Sequence, residues 1–569
     1  MSNKRKLLEI DLTNHQVHKF SVTEEELRKY LGGSGLAAKY LYQYLDPLLP
    51  PLHPDNPLLF FPGLLTGLLI PTACKTSVCG RSPLTGIWNE ATVGGHWGAA
   101  LKKNGYEGII IKGKAANPLY LYLNSDGITF RDARTLWGLD TYQTSKVIKE
   151  TYPKVQIASI GQAGENLVPI SAIVIDAPDS RLAGRGGLGA LMGSKNLKAI
   201  AVQVEKKPID VSEPEKLKEN IRELTPSIRE HTKVLHYYGT GGSVEAREYT
   251  GDLPIKNFAQ SRWPEAIKTT GQVIADTIFK RHYACYYCPI ACGKEVTLKE
   301  EIVHGPEYET ISAFGSNLLN DNLDSIVQLN DLCNRYGIDT ISLGVTLAFA
   351  IEAHEEGLLK KEDMPGLNVT WGNKDTFITL THQVAQNEKL GKLIGQGVRS
   401  LSNQLGGNSE EYAIHTKGLE YPMHDPRAYT GMALSYATAN RGACHLESLS
   451  YMIESGIPAS DLSYDEKNTV DPHSSEGKAE LVVKLQDYMN VLNALGLCKF
   501  LLPGRIGPKI VCEWINKVTG WDLDQKELMQ IGQRLHNLKR LYSIKLGITK
   551  KDDTIPPRLL HLARNQTVS

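Results

Sequence analysis

The sequence has no surplus of charge: 63 lysines and arginines stand against 63 aspartates and glutamates. No global field therefore draws in nucleic acid or an anionic membrane surface, and neither is expected as a partner. Long apolar runs are also missing. The longest, Pro57-Leu58-Leu59-Phe60-Phe61-Pro62-Gly63-Leu64-Leu65, is broken by proline and glycine and falls short of the roughly 20 residues a bilayer-spanning helix takes. A secretion signal is absent as well. Met1-Ser2-Asn3-Lys4-Arg5-Lys6 is basic, but Leu7-Leu8-Glu9-Ile10-Asp11-Leu12 alternates like a strand and places acids where a signal needs an unbroken apolar stretch. Nor do the nine cysteines form a disulfide framework, since their number is odd and three crowd into one segment. These absences predict a soluble cytoplasmic protein in a reducing compartment, with thiols free to bind metal. No internal repeat marks a solenoid, and no Walker A or Rossmann spacing occurs.

What is present divides by periodicity. Up to about residue 205 the chain is rich in short β-like runs: Gly108-Ile109-Ile110-Ile111-Lys112-Gly113, Leu119-Tyr120-Leu121-Tyr122-Leu123 and Lys198-Ala199-Ile200-Ala201-Val202, punctuated by glycine and proline. After Lys206-Lys207-Pro208 helical spacing takes over, as in 213–229, 324–335 and 393–405. A polar break at Gly406-Gly407-Asn408 follows. The expected fold class is α+β: a β-rich domain over 1–208, then two mainly α-helical domains over 209–408 and 409–569. At 569 residues the chain exceeds what one core usually organises.

Cys285-Tyr286-Tyr287-Cys288-Pro289-Ile290-Ala291-Cys292 lets a turn aim three thiolates at one small object. Structural zinc usually takes its ligands as two separate knuckles, whereas three close cysteines and a remote fourth commonly hold a 4Fe–4S cluster. Cys333, Cys444, Cys498 and Cys512 are the downstream candidates. Cys498 is preferred, because Leu495-Gly496-Leu497-Cys498 puts a thiol on a glycine turn, while Cys512 lies in an apolar helical run.

Two glycine-rich regions allow close backbone approach to a flat or phosphorylated ligand. One is Val93-Gly94-Gly95-His96-Trp97-Gly98; the other runs from Arg181-Leu182-Ala183-Gly184 to Asn196. Arginines and exposed N–H groups in the second suit phosphate. His304-Gly305-Pro306-Glu307-Tyr308-Glu309 and Asn440-Arg441-Gly442-Ala443-Cys444-His445 supply an acid and an imidazole able to move protons near neutral pH. A short echo links Asn334-Arg335-Tyr336-Gly337-Ile338-Asp339 with Asn493-Ala494-Leu495-Gly496-Leu497-Cys498.

With Tyr30-Leu31-Gly32-Gly33-Ser34-Gly35-Leu36-Ala37, Ser82-Pro83-Leu84-Thr85-Gly86 and Asp425-Pro426-Arg427, these segments cover nearly the whole chain in consistent order. In this they resemble the tungsten-containing aldehyde:ferredoxin oxidoreductases. The resemblance implies a β-rich base under two helical domains. It also implies tungsten, or less often molybdenum, on the dithiolenes of two pterins whose phosphates share Mg2+, with a 4Fe–4S cluster on Cys285, Cys288, Cys292 and Cys498. Electrons would pass to ferredoxin or an iron–sulfur partner subunit, and the chain would act alone or within a homo- or hetero-oligomer.

Carried over by position, Lys75 stands where an arginine usually links cluster and pterin, keeping the charge without the bidentate fork. Thr92 replaces an asparagine that helps bind magnesium, beside Gly94 and Gly95. Arg181, Leu182, Ala183 and Gly184 match a phosphate-binding turn. Asn334, Ile338 and Asp339, and likewise Asn493, Leu497 and Cys498, match the two pterin-binding sequences, with asparagine where aspartate is usual. Glu309 and His445 match the catalytic acid and histidine. Glu447 reverses the charge of a customary lysine. Two further readings stand beside aldehyde oxidation. One is the active-site subunit of a tungsten benzoyl-CoA reductase acting on an acyl-CoA, with Cys74 or Cys444 as a thiol near the metal. The other is a non-catalytic iron–sulfur electron-transfer subunit.

Overall fold

The computed structural model describes residues 5–465 and 467–563; Met1–Lys4 of the basic N-terminal run lie outside them. Two six-stranded mixed sheets occupy the first part. In one the order is Gln16–Ser21, Lys6–Asp11, Tyr106–Lys112, Leu58–Pro62, Thr76–Arg81, Trp88–Val93; in the other it is Arg181–Ala183, Ile173–Ile175, Val155–Ser159, Leu197–Gln203, Leu119–Leu123, Ile128–Asp132. Side chains alternate between faces along each strand. Leu58, Phe60, Ile109 and Ile111 therefore enter a core shared with Leu121, Ile173 and Ile200 of the second sheet. Leu59, Phe61 and Ile110 point the opposite way, into a core built with helices from the far end of the chain. A strand buried on both faces reads as a continuous apolar run, which accounts for the Leu58–Phe61 stretch.

Helices dominate after residue 208, with a three-stranded sheet, Phe279–Tyr283, Gly293–Leu298 and Glu301–His304, among them. The fold class is the α+β expected. The helix expected over 393–405 is in fact two, Lys389–Ile394 and Val398–Leu405. Gly397 sits between them at φ 82°, and the amide of Val398 donates to Glu420 Oε1 at 2.9 Å, a cap supplied from another part of the chain. Among the described residues no helix is long and apolar enough to cross a membrane.

The echoed motifs are structural twins. The helix Leu323–Tyr336 ends on Gly337 at φ 68°, and the helix Lys478–Leu495 ends on Gly496 at φ 77°. Left-handed termini of this kind favour glycine. The following residue then bridges to the sheet region in each case, Ile338 to Ser171 and Leu497 to Ala73. The carbonyl of Gly337 accepts from Ala172 N at 2.7 Å, and that of Gly496 from Lys75 N at 2.9 Å. A Cβ on Gly496 would meet Thr66 Oγ1 at 2.0 Å, so two backbones can approach only because it has no side chain.

Candidate active site

One internal cavity collects most of the residues singled out from the sequence. Its floor lies where edge strands meet: Trp88–Val93 closes one sheet, Arg181–Ala183 closes the other, and the two pack together. Arg181–Ala183 is thus a short strand, where the sequence suggested a turn.

Five sulfurs lie on the cavity wall. Cys285, Cys288 and Cys292 lie on the loop between Phe279–Tyr283 and Gly293–Leu298, and Cys74 and Cys498 join them on the wall. None of the nine cysteines is in a disulfide. The loop is tied on several sides: Tyr286 N donates to Gly95 O at 3.1 Å, Thr72 N to Tyr287 O at 3.3 Å, and His236 Nδ1 lies 3.0 Å from Ile290 O. Cys498 N donates to Thr72 Oγ1 at 3.2 Å, so one short segment braces both the triplet and the remote thiol. A Cβ on Gly94 would lie 2.7 Å from Cys285 Sγ. A hydrogen bond with Cys74 and the charges of Arg181 and Lys75 push the Cys285 thiol down against burial. Burial opposes charge on Lys75, yet Cys498, Cys74 and Cys285 hold its ammonium above its ordinary value.

Cations line the same wall. Arg181 donates to Glu307 Oε1 at 2.6 Å, and Thr240 Oγ1 donates to the other oxygen at 2.6 Å. Burial works against that carboxylate, but Arg181 and Thr240 keep it below the usual range. Arg181 Nε and Nη2 and Asn334 Nδ2 are buried and have no hydrogen-bond partner among the described residues. Buried donors are rarely left unmet. Such donors, with Lys75, Arg185 and Arg441 on the same wall, suit phosphate and polar ring edges, and the cluster of thiols suits iron.

The same wall carries an acid–imidazole group. Glu309 Oε1 lies 3.4 Å from His445 Nε2 and 3.5 Å from His424 Nε2, while Glu309 Oε2 accepts from Met423 N at 2.7 Å. Burial raises the Glu309 carboxyl despite the opposing effects of His424, the Met423 amide and Arg185. Burial and then His424, Arg185 and Arg441 hold His445 well below its ordinary value, as a neutral imidazole.

The cavity wall includes Lys75, Thr92, Gly94, Arg181, Leu182, Gly184, Asn334, Asp339, Glu309, His445 and the four proposed cluster cysteines. Gly95, Ala183, Ile338, Leu497, Asn493 and Glu447 are placed behind it. Ile338 and Leu497 make backbone bridges. Asn493 Nδ2 donates to Glu90 Oε1 at 2.6 Å, and Glu90 in turn pairs with Lys539 at 2.5 Å. Glu447 lies 3.9 Å from Arg441, and Lys499, half-buried and bonded to Leu446 O, faces it as a further cation. Sequence reasoning missed Lys499, Arg247, Asp252 and His424; the last immediately precedes Asp425-Pro426-Arg427, a segment to which the sequence alone assigns no role.

Thiols suited to a redox cluster beside groups that exchange protons are the equipment of an oxidoreductase. Residues 7–204 match the family model "Aldehyde ferredoxin oxidoreductase, N-terminal domain", and 216–568 match "Aldehyde ferredoxin oxidoreductase, domains 2 & 3". The tungsten-containing aldehyde ferredoxin oxidoreductase of Pyrococcus abyssi is 38% identical over 98% of this chain and 91% of its own. The aliphatic sulfonate oxidoreductase WOR-like subunit of Pyrococcus furiosus is 30% identical over 97% of this chain and 89% of its own. Among solved structures, the active site complex BamBC of benzoyl coenzyme A reductase superposes with a TM-score of 0.85 at 26% identity, covering 98% of this chain and 91% of that one. The chain belongs to the aldehyde ferredoxin oxidoreductase family, and it is an oxidoreductase of that type.

Proposed function

We propose that this protein oxidises an aldehyde to a carboxylate, with water as the oxygen source and ferredoxin or an iron–sulfur partner subunit as electron acceptor. The observation that carries the reading is the convergence on one cavity of the Glu309–His445 pair, the unpartnered Arg181 donors and Cys285, Cys288, Cys292 and Cys498. The four cysteines would hold a 4Fe–4S cluster. Arg181, Gly184, Asn334 and Asp339 would hold one end of a tungsten or molybdenum bis-pterin, and Thr92 would lie near the Mg2+ between its phosphates. Bound there, the metal–pterin supplies a two-electron sink and the cluster a one-electron exit.

The chain's own groups manage protons and position. Glu309 takes the proton of the water that adds to the carbonyl carbon, its raised affinity matching a general base that must give the proton up again. His445, neutral in its buried setting, donates a hydrogen bond to the developing oxyanion. Arg181 and Lys75 counter the charge of the thiolates and keep the path between sulfurs and cavity cationic. Residues 1–208 form the base, and 209–408 and 409–569 the two helical domains above it.

Glu309→Gln and His445→Ala should each lower kcat/KM for aldehyde by about 10²–10⁴, with iron and tungsten contents unchanged. Full activity in either loaded variant overturns these roles. The likeness to the BamBC complex favours a second reading, reduction of an aromatic acyl-CoA with Cys74, buried on the wall, near the metal. Acyl-CoA turnover without aldehyde turnover, with a fifth sulfur at the metal by X-ray absorption, would select it.

A further inference from the structure

Glu309 has a second imidazole neighbour that the proposed oxidation does not use. His424 is almost wholly buried, with Nε2 3.5 Å from Glu309 Oε1 and Nδ1 2.9 Å from Asp252 Oδ2. Asp252 is itself fully buried and also accepts from Arg247. Its carboxyl stays below the usual range because His424 and Arg247 outweigh the opposing effect of burial. A carboxylate so placed accepts a hydrogen bond from Nδ1–H of His424, as a buried aspartate fixes the tautomer of a catalytic histidine. The lone pair then resides on Nε2, the atom aimed at Glu309. Glu309 Oε1 is buried and has no hydrogen-bond partner among the described residues. One ligand-capable atom from each of Glu309, His424 and His445 lies within 4.8 Å of the others.

The groups on the Nδ1 side compete: Asp252 can only accept there, at 2.9 Å, while Arg247 Nη1, which can only donate, lies 3.2 Å from the same atom and is itself held by Asp252. Asp252 and Arg247 lie on the Nδ1 side, and Glu309 on the Nε2 side. Tyr451 stacks against the ring at a centroid distance of 4.3 Å, while Tyr308 and His445 lie tilted to it at 5.0 Å each. The stacked face of Tyr451 holds the imidazole, and the carboxylates of Asp252 on Nδ1 and Glu309 on Nε2 are the groups that can stabilise an imidazolium.

We propose that His424 is a proton-relay residue of the site. The proton that Glu309 gains from water passes from its carboxyl oxygen to Nε2 of His424. The Glu309 carboxylate is restored, and the resulting imidazolium is held through Nδ1–H by Asp252 until the proton leaves. No electron moves in this step, and Glu309 is freed for the next turnover. His445 keeps the oxyanion role, so the two imidazoles that flank one carboxylate do different work.

The inference rests on Glu309 acting as the base, and the tests separate the two. In the oxidised, metal-loaded protein, 15N-histidine NMR should show the His424 resonance, assigned by its loss in His424→Gln, as the Nδ1-protonated neutral tautomer. The Nε2-protonated tautomer overturns the relay. Kinetically, His424→Gln keeps a hydrogen bond to Asp252 but cannot carry a proton. It should retain metal and KM, lower kcat by about 10²-fold, and raise the solvent deuterium isotope effect on kcat. In His424→Ala, added imidazole should restore turnover in proportion to its concentration. Wild-type kcat and isotope effect in His424→Gln, or no rescue of metal-loaded His424→Ala, contradicts the relay while leaving aldehyde oxidation intact. A fully active, metal-loaded Glu309→Gln contradicts the base role on which the relay rests, and a metal-loaded wild-type protein without aldehyde turnover contradicts the function itself.

Discussion

Glu309 bears the conflict between folding and chemistry. Burial raises its carboxyl above the ordinary glutamate value of 4.5, so the folded protein binds that proton more tightly than the unfolded chain does. Its contribution to stability is therefore greatest at low pH and declines as pH rises from 4.5 through the raised folded value. A general base works only deprotonated, so activity runs the other way and falls as pH drops through the same value. Two measurements follow from one side chain. The acid limb of kcat/KM should lie above 4.5, and Glu309→Gln should melt at a higher temperature than wild type near neutral pH while losing activity. An unchanged or lower melting temperature would show that the buried carboxylate carries no such cost.

At the scale of elements, the two helix-ending glycine turns join the helical part to the sheets. Replacing Gly496 with alanine places a methyl against Thr66 Oγ1 and the carbonyl of Lys75, at 2.0 and 2.8 Å, where φ is already 77°. The Lys75–Gly496 hydrogen bond and the Ala73–Leu497 bridge should both be disturbed. Gly496→Ala should therefore lower iron content by displacing Cys498, measured by elemental analysis and by the cluster's visible absorption. A Cys498→Ser variant should match it in iron but retain the wild-type melting temperature more closely.

The turns were legible in the sequence because both motifs pair asparagine, glycine and an aliphatic residue at fixed spacing. The break between Ile394 and Val398 was not, because its cap, Glu420, arrives from elsewhere in the chain. For the same reason the triplet cysteines could be read from spacing alone, whereas His424 and Asp252 could not. Nothing local marks an imidazole that meets its carboxylate only in the folded protein.

Across the whole molecule, two sheet edges and the ends of two long helices converge on one cavity, whose wall carries both the clustered thiols and the Glu309–His445 pair. The central claim is a division of labour on that wall: we propose that electrons leave past Cys285, Cys288, Cys292 and Cys498, and protons past Glu309 and His424. Part of the residue set singled out from the sequence shares one cavity wall, while Gly95, Ala183, Ile338, Leu497, Asn493 and Glu447 do not line it. The sequence order of the motifs did not foretell that Asn493 would turn toward Glu90, or that Lys499 would stand opposite Glu447, since both depend on buried charges that fold together from distant segments. The most direct test is anaerobic purification, followed by metal and pterin analysis and an assay of aldehyde-dependent reduction of a low-potential acceptor on the same sample. The account predicts about four iron atoms with one tungsten or molybdenum and two pterins per chain, and turnover that tracks the heavy-metal content. Iron alone, with no heavy metal, no pterin and no aldehyde turnover, would contradict it and leave a cluster-bearing electron-transfer subunit.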